Sequence, residues 1–557
     1  MRLQPIFDIA AICAAKGIKD AIVCPGSRCA PLTLSFARHP GIQTRTISDE
    51  RSAGFIALGI AQQTRKTVVL ICTSGTAAYN FAPAIAEAFY QKIPLLVLTA
   101  DRPVEWIGQW DGQTISQQKI YGDHVLRSYQ LPQEYDHADS KWSIQRIINE
   151  AINLTQGDVR GPVHVNVPLR EPLYSDSISF SDDIRVIDRV SAKRNFKTFP
   201  KADGFKKILV VGGQNRLDID LIKALSAIAG SIAVIGDIIS NLHPIPSAIR
   251  YSDSFLAAID EKTKEALRPD LLITIGQSVI SKNLKLFLRS FRPKEHWHIN
   301  ENTNEIIDPF QSVTTQIQIA PEVFFNAIQP NEERKQYAQR WIDLDQKASN
   351  ATQDFFKQNS SGELSFVNHV LKSIPDHTSL HLANSMTVRY ANYCGLAENK
   401  KGVQVYSNRG TSGIDGCSST VVGHAISSDS LHTLITGDVA FFYDRNAFWN
   451  NYISPNLRVI VLNNHGGVIF DIIDGPGAMK EVDEYFVTRQ PLTAKHLASE
   501  FNLDYKSISN TGNIDATLDE FFKLTDRAKI LEFESNSKHA KDLFLRFKEK
   551  VKNTYAA

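Results

Sequence analysis

Two polar clusters within residues 432–470 combine side chains that bind hard cations and anions. The apolar run Thr433–Thr436 ends in Gly437-Asp438, and a second run, Leu457–Leu462, ends in Asn463-Asn464-His465-Gly466-Gly467. Both runs have the composition of strands, and the segment between them is compatible with a helix. A strand–helix–strand crossover is right-handed and sets both strand ends on one edge of a parallel sheet, so Asp438 and Asn464 are expected to converge. A carboxylate and an amide oxygen on tight turns favour Mg2+ or Ca2+ over zinc. The helix opening after Asp438 offers free N–H groups and a positive dipole end to an anion. Cation and anion at one strand edge fit a bound diphosphate, although either cluster alone reads more simply as a helix N-cap or a polar loop.

Such a site needs a parallel sheet to present it, and the rest of the chain has that pattern. Up to about residue 180, helix and strand signals alternate. Ala21–Cys24 runs into Pro25-Gly26-Ser27-Arg28, Thr44–Ser48 into Asp49-Glu50, Thr67–Cys72 into Thr73-Ser74-Gly75-Thr76, and Pro94–Thr99 into Ala100-Asp101-Arg102-Pro103. Near-continuous apolar strands separated by helices indicate a parallel sheet covered on both faces, with ligands beyond the carboxyl ends of its strands. Residues 183–203 are polar and irregular and are expected to be a linker. The strand–turn–helix pattern restarts at Lys207–Gly213 and repeats at Ala233–Gly236 and Leu271–Gly276, which predicts a second doubly wound domain. Its Gly212-Gly213 lacks a full dinucleotide-binding glycine pattern and reads as a tight strand–helix turn. A charged helical stretch, Asn331–Lys357, with the polar residues after it is expected to be a second linker. Alternation resumes from about 360, with Leu380–Ala383 running into Asn384-Ser385 and Gln404–Tyr406 into Ser407-Asn408-Arg409-Gly410. The basic C-terminal stretch is expected to be a solvated surface helix.

Composition narrows the class of function. A chain of 557 residues exceeds one hydrophobic core, and about three domains is the expectation. With 61 basic and 60 acidic residues, a general nucleic-acid or membrane surface is disfavoured. Six cysteines without zinc-site or redox spacing point to buried thiols in a reducing cytoplasm. The N-terminal segment, broken by Asp8, Lys16 and Asp20, reads as an amphipathic helix rather than a signal peptide. No apolar stretch is long enough to predict a transmembrane helix.

A Gly-Asp followed after about 25 residues by Asn-Asn resembles the motif of thiamine-diphosphate enzymes. In that motif the Asp, the second Asn and a carbonyl two residues later hold the metal against the diphosphate. The resemblance implies Asp438, Asn464 and the Gly466 carbonyl as ligands of Mg2+ or Mn2+, with Gly437 at the cofactor; Val439 stands where many members have glycine. Further stretches, CPGSRCAPLTL, SDERSAGFIALGIA, TSGTAAYNFAPAIAEA, LTADRP, YSNRGTSGIDG and NNHGGVIF, occur across the chain in order. Together they are similar to one branch, the 2-succinyl-5-enolpyruvyl-6-hydroxy-3-cyclohexene-1-carboxylate synthases of menaquinone and phylloquinone biosynthesis. The resemblance implies an α/β fold of three doubly wound parallel-sheet domains: pyrimidine-binding (1–182), central (204–330) and diphosphate-binding (360–557). It also implies a homodimer or dimer of dimers whose active site joins two subunits.

The implied reaction decarboxylates 2-oxoglutarate and adds the succinyl carbanion to isochorismate in a 1,4-addition. Glu50 would activate the cofactor's pyrimidine ring. Both substrates are dicarboxylates and call for fixed cations, preferably Arg, whose planar fork matches a carboxylate. By motif position Ser385, Arg389 and Arg409 are similar to the family's contacts with the succinyl part. Ser27, Arg28, Arg102 and Lys282 resemble those with isochorismate, and Asn283 follows Lys282 where the family often has a second basic residue. Gln113 matches a glutamine near cofactor and acceptor, Ile414 the apolar prop beneath the cofactor, and Ile469-Phe470 the pocket wall. A related 2-oxoacid decarboxylase or acetohydroxyacid synthase is the alternative within enzymes. A non-catalytic binding protein on the same fold is the remote one, disfavoured because Glu50, Asp438, Asn464 and the arginines are all present.

Overall fold

The computed structural model describes residues 3–175, 177–190, 200–301, 305–472 and 475–556. It contains three parallel sheets separated by helices, the doubly wound α/β class expected from the alternating pattern. The first sheet comprises β1 (Asp20–Val23), β2 (Gln43–Thr46), β3 (Val68–Cys72), β4 (Leu95–Asp101), β5 (Ser128–Gln130) and β6 (Val163–Pro168). Its spatial order is β2-β1-β3-β4-β6-β5. β3, β4 and β6 are buried at every position, as strands covered on both faces must be. The second sheet, ordered β11-β10-β9-β7-β8, is formed by β7 (Ile208–Gly212), β8 (Ala233–Gly236), β9 (Leu271–Ile275), β10 (Glu295–Ile299) and β11 (Thr315–Ile317). The third comprises β12 (Ser379–Leu382), β13 (Gln404–Tyr406), β14 (His432–Gly437), β15 (Leu457–Asn463), β16 (Asp504–Ile508) and β17 (Lys529–Glu534). Its order, β13-β12-β14-β15-β17-β16, repeats that of the first sheet strand for strand.

In both six-stranded sheets the first strand has its sequential neighbour on one side and the third strand on the other, so the winding reverses between them. A crevice opens at that switch point, outside the carboxyl ends of the two strands. In the first sheet the turns flanking it are those after β1 and β3. In the third sheet they are those after β12 and β14, with the end of β15 alongside. At the second sheet's switch the equivalent space is occupied by the protein's own backbone. Gly213 N–H donates to the Ile275 carbonyl at 2.9 Å, Gln214 N–H to Ser278 at 2.7 Å and Gln277 N–H to Gln214 at 2.9 Å. Gly212-Gly213 is therefore a tight turn, as read from the sequence.

The chain divides into two compact units. One contains Met1–Lys193, Asn408–Asp429 and Tyr443–Leu457; the other contains Arg194–Ser407, Ser430–Phe442 and Arg458–Ala557. Within the first, the helix Glu50–Thr64 crosses the helix Cys417–Ile426 at backbone contact. A Cβ on Gly59 would lie 2.1 Å from the Thr420 carbonyl oxygen, and one on Gly423 would lie 2.2 Å from that of Ile56. Within the second unit, Asn241 seals the edge strand β13: Val405 N–H donates to its Oδ1 at 2.7 Å and its Nδ2 donates to the Val405 carbonyl at 2.9 Å. An open strand edge is thereby covered.

Three sequence expectations need correction. The Glu332–Gln358 helix, expected as part of a linker, buries Tyr337, Ala338, Trp341 and Phe355 against the second unit's core. Most of its acidic and basic residues occupy the opposite face, but Arg334 is buried and donates its Nε to the Phe205 carbonyl at 3.0 Å and its Nη2 to the Ala202 carbonyl at 2.8 Å. The C-terminal helix Ser537–Ala556 is likewise half inside, with Leu543, Phe544 and Phe547 buried. The N-terminal helix Gln4–Ala15 is buried nearly all round, including Asp8, whose carboxylate accepts from Gln4 Nε2 at 2.9 Å and from Ser181 N–H and Oγ at 2.9 and 2.8 Å. Of the first expected linker, residues 191–199 lie outside the described residues, and 183–190 form neither helix nor strand. All six cysteines are buried and none forms a disulfide. Among the described residues no helix is long and apolar enough to cross a membrane.

Alanine is a better helix former than glycine by about 1 kcal/mol, yet Gly59→Ala or Gly423→Ala places a methyl against a carbonyl that cannot swing aside. Each substitution should cost about 1–3 kcal/mol and lower the thermal unfolding midpoint by several degrees. An unchanged or higher midpoint would show that the helices part freely.

Candidate active site

In the second unit, β14 delivers Asp438 and β15 delivers Asn464 to one edge, the convergence expected from the crossover. Asp438, 2% exposed, opens the helix Asp438–Tyr443, and its Oδ2 accepts from Gln490 Nε2 at 2.7 Å. Burial pushes its carboxyl up to about 6, with the Gln490 amide and the Val439 and Gly466 N–H groups acting in the opposite direction. The N–H of Gly466 therefore ties the β15 loop to the carboxylate that ends β14. Asn464 donates its Nδ2 to Glu363 Oε1 at 2.9 Å. That contact fixes the amide's orientation and leaves Oδ1, buried and without a hydrogen-bond partner, turned away from Glu363. Glu363 is itself fully buried; burial pushes its carboxyl up to about 7, and Ser535 Oγ donates to Oε1 at 2.7 Å.

A buried amide oxygen without a partner costs about 1–3 kcal/mol unless something occupies it. Beside a buried carboxylate, the donor set is hard oxygen and suits a divalent cation of the magnesium type. A Cβ on Gly437 would meet open space, so no protein atom fills the volume beside the helix start. The residues present thus fit a metal–diphosphate group. His465 is not a ligand: its Nε2 lies 3.2 Å from Glu534 Oε2 and its Nδ1 3.1 Å from the Gln490 carbonyl, as befits a loop residue.

The same unit carries six further residues singled out from the sequence. Ser385 follows β12 at φ +72°, an uncommon conformation for a non-glycine residue and often a mark of function. Its carbonyl accepts from Arg389 Nη1 at 2.5 Å, which holds the guanidinium at the switch point. Lys282 is exposed at the start of the helix Lys282–Ser290. Asn283 faces inward: its N–H donates to Asp253 Oδ1 at 2.9 Å and its Nδ2 to the Asp253 carbonyl at 2.8 Å, a structural role that fixes the helix start. Ile469 and Phe470, half-buried, begin the helix Ile469–Ile472 beside the Asn464 loop, and the Phe470 ring lies 5.9 Å from that of Phe486.

In the first unit, Glu50 begins its helix directly after Asp49, whose Oδ1 accepts from Ser52 N–H at 3.1 Å while Oδ2 accepts from Asn446 Nδ2 at 2.7 Å. Glu50 is half-buried, and burial raises its carboxyl above the ordinary range. It lines a cavity of about 400 Å³ with Thr73, Gly75, Asn80 and Gln113, so two expected site residues share one space. The wall is pinned by the fully buried Gln117, whose Oε1 accepts from Gly75 N–H at 2.8 Å and whose Nε2 donates to the Ala100 carbonyl at 3.0 Å.

Arg28 and Arg102 lie together in this unit. Arg28 is 6% exposed and donates to the Leu169 carbonyl and to Glu171 Oε1, both at 2.9 Å. Arg102 Nη1 lies 3.2 Å from Asp111 Oδ2 and 3.9 Å from the same Glu171 oxygen. Asp111 also lines the Glu50 cavity. Ser27 is exposed in the turn before Arg28. Arg409 and Ile414, both partly buried, belong to the loop that precedes the Cys417–Ile426 helix.

Glu363, Gln490, Gln117 and Glu171 were not reached from the sequence. Glu363 sits 101 positions before Asn464 and Gln490 52 beyond Asp438, so no local spacing signals either contact. Glu363 does open a helix after Gly362, but so do many acidic residues that only favour the helix dipole.

Comparison with known proteins agrees with this geometry. Residues 7–120 match the family of the thiamine pyrophosphate enzyme N-terminal TPP binding domain, and residues 180–382 match the middle domain of thiamine pyrophosphate enzymes. The chain is 44% identical to a 2-succinyl-5-enolpyruvyl-6-hydroxy-3-cyclohexene-1-carboxylate synthase of Cytophaga hutchinsonii, over 99% of this chain and 100% of that protein. Proteins of the same name from Flavobacterium psychrophilum and Bacteroides thetaiotaomicron are 37% and 34% identical. The alignments cover 93% of both chains in the first case, and 98% of this chain and 99% of the relative in the second. With its likeness running from end to end, this chain belongs to the 2-succinyl-5-enolpyruvyl-6-hydroxy-3-cyclohexene-1-carboxylate synthase family of thiamine-diphosphate-dependent enzymes.

Proposed function

We propose that the protein decarboxylates 2-oxoglutarate and joins the succinyl unit to isochorismate, giving 2-succinyl-5-enolpyruvyl-6-hydroxy-3-cyclohexene-1-carboxylate and CO2 in menaquinone biosynthesis. The observation that carries this reading is the 44% identity, over 99% of the chain, to a synthase of that name. The cations at strand ends support it. Arg28 is buried with Glu171 as its anion and Arg389 is partly buried, and a buried cation is costly unless an anion meets it. Dicarboxylate substrates supply such anions, whereas a monocarboxylate leaves some of these cations unmatched.

When bound, thiamine diphosphate would supply a nucleophilic carbon and an electron sink for the decarboxylation of a 2-oxo acid. Asp438, the Asn464 amide oxygen and the Gly466 carbonyl would hold Mg2+ or Mn2+, with Glu363 fixing the orientation of the Asn464 amide. Glu50 carries a proton at its carboxyl oxygen and shares it with the cofactor's pyrimidine ring; the burial that raises its carboxyl favours the protonated form. Ile414 supports the cofactor from below, and Ile469 with Phe470 excludes water from the reacting face. Ser385, Arg389 and Arg409 bind the succinyl part. Ser27, Arg28, Arg102 and Lys282 bind isochorismate, one carboxylate of which takes the place of Glu171 between Arg28 and Arg102. Gln113, on the wall it shares with Glu50, positions the acceptor for proton transfer.

The assembly in this reading is a homodimer or dimer of dimers in the cytoplasm. The pyrimidine-binding domain (1–182) of one subunit faces the diphosphate-binding domain (360–557) of another, with a central domain (204–330) in each chain. Buried cysteines, none of them in a disulfide, suit a reducing compartment.

Three measurements test these assignments. Purified protein with thiamine diphosphate and Mg2+ should consume isochorismate, followed by its ultraviolet absorbance, only when 2-oxoglutarate is also present. Rapid release of succinic semialdehyde with isochorismate untouched would instead make it a plain decarboxylase. Glu50→Gln should abolish turnover while leaving the circular dichroism spectrum and thermal midpoint intact; an undiminished rate refutes its role. Glu363→Ala should weaken Mg2+ affinity in the presence of thiamine diphosphate by about 10–100-fold, read by fluorescence titration, and an unchanged affinity would remove Glu363 from the metal site.

A further inference from the structure

The chemistry above leaves one buried carboxylate unused. Glu87, on the helix Ala82–Gln91, is 1% exposed. Its Oε1 accepts from Gly410 N–H at 2.8 Å and from Gln91 Nε2; its Oε2 accepts from Thr411 N–H and from Thr411 Oγ, each at 2.6 Å. Both residues of the loop and Glu87 lie within the first unit. The approach depends on glycine, because a Cβ on Gly410 would sit 2.8 Å from the Glu87 carbonyl oxygen and 3.1 Å from Oε1. Behind the carboxylate the polar chain continues: Gln62 Nε2 donates to Gln91 Oε1 at 3.2 Å, and Gln62 Oε1 lies 2.9 Å from His424 Nε2.

Among the described residues the Glu87 carboxylate is met by neutral donors, not by a cation. A charge buried in this way is expensive, and a neutral acceptor would satisfy the same fold at lower cost. What only a carboxylate supplies is two acceptor oxygens for two consecutive N–H groups and a hydroxyl, with charge-assisted strength. The N–H groups it grips are those immediately after Arg409. We propose that Glu87 is a positioning residue for Arg409: by clamping Gly410 and Thr411 it fixes the backbone from which that guanidinium reaches the carboxylate of the succinyl donor. The proposal rests on the reading of Arg409 as a donor-binding cation.

Glu87→Gln keeps the shape but turns one acceptor into an NH2 group facing an N–H. The test compares kinetics of this variant, of Arg409→Ala and of the double variant in the isochorismate-consuming assay of the full-length holoenzyme. Glu87→Gln should raise KM for 2-oxoglutarate about tenfold and leave KM for isochorismate and thiamine diphosphate affinity unchanged. In the Arg409→Ala background the same substitution should add nothing, because the two act as one unit. A loss by the same factor in both backgrounds overturns the proposal and makes Glu87 a scaffold residue. If Arg409→Ala itself leaves KM for 2-oxoglutarate unchanged, the reading of Arg409 fails and the proposal falls with it. Should Glu87→Gln not fold, Thr411→Val removes only the hydroxyl contact and should raise that KM about threefold; an unchanged value overturns the proposal equally.

Discussion

The crossing of the Glu50–Thr64 and Cys417–Ile426 helices at backbone contact is the constraint on which the first unit depends. Gly59 and Gly423 each face a carbonyl oxygen of the other helix at a distance no Cβ tolerates. Each glycine weakens its helix by about 1 kcal/mol, a loss that persists only where close approach is worth more. The reward is geometric. One helix begins at Glu50 and the other directly follows the loop holding Arg409 and Ile414, so a fixed crossing fixes where both begin. Asp49 reinforces one end by accepting from Ser52 and Asn446, and Asp444 does so at the other by accepting from Ser419 N–H and Oγ at 2.6 and 2.7 Å.

The repeated strand order of the first and third sheets explains why polar residues gather where they do. A parallel sheet buried on both faces leaves only its strand ends for chemistry, and a reversal of winding opens one crevice among them. Glu50 and Gln113 line the cavity by the first sheet's reversal, and Arg389 and Asp438 follow the two strands that flank the third sheet's. The middle sheet, with a different order, closes its reversal with backbone hydrogen bonds between the Gly213 and Gln277 turns. A turn after an apolar strand thus borders a cavity in the first sheet and is sealed by backbone in the second. The neighbouring turn decides which.

Much of this was legible because long apolar runs bounded by turn residues survive burial on both faces as strands. β8 and β13 fall at the expected bounds, and β3, β9, β12 and β15 within a residue or so. The edge strands β5, β11 and β16 carry no comparable run; three residues such as Ser128–Gln130 become a strand only because β6 is there to pair with. The helices misjudged as linker and surface tail are dominated by charge on average, while their apolar residues recur at helical spacing on one face. At the site, residues with local context were readable: Asp438 after its glycine, Asn464 in its doublet, Glu50 at a helix start. Glu363, Gln490 and Glu171 act through contacts between distant segments, and a lone acidic or amide side chain gives no local sign of its partner.

Burial, opposed by those distant contacts, sets the electrostatics. Burial raises the carboxyls of Asp438 and Glu363 to about 6 and 7, so in the protein alone each resists ionisation above the pH at which the unfolded chain would lose its proton. The sign follows from linkage: a carboxyl whose folded value is raised subtracts stability as pH climbs from its unfolded value to its folded one, and the deficit persists at neutral pH. Nothing in the packing of the third sheet requires two acidic groups and a partnerless amide oxygen at one edge. A divalent cation bound there would favour the charged form of the Asp438 carboxylate and would occupy the Asn464 oxygen. On the proposed reading, metal binding would therefore add stability at the third sheet's edge, and Glu363, through its hydrogen bond with Asn464, would couple that gain to the fold.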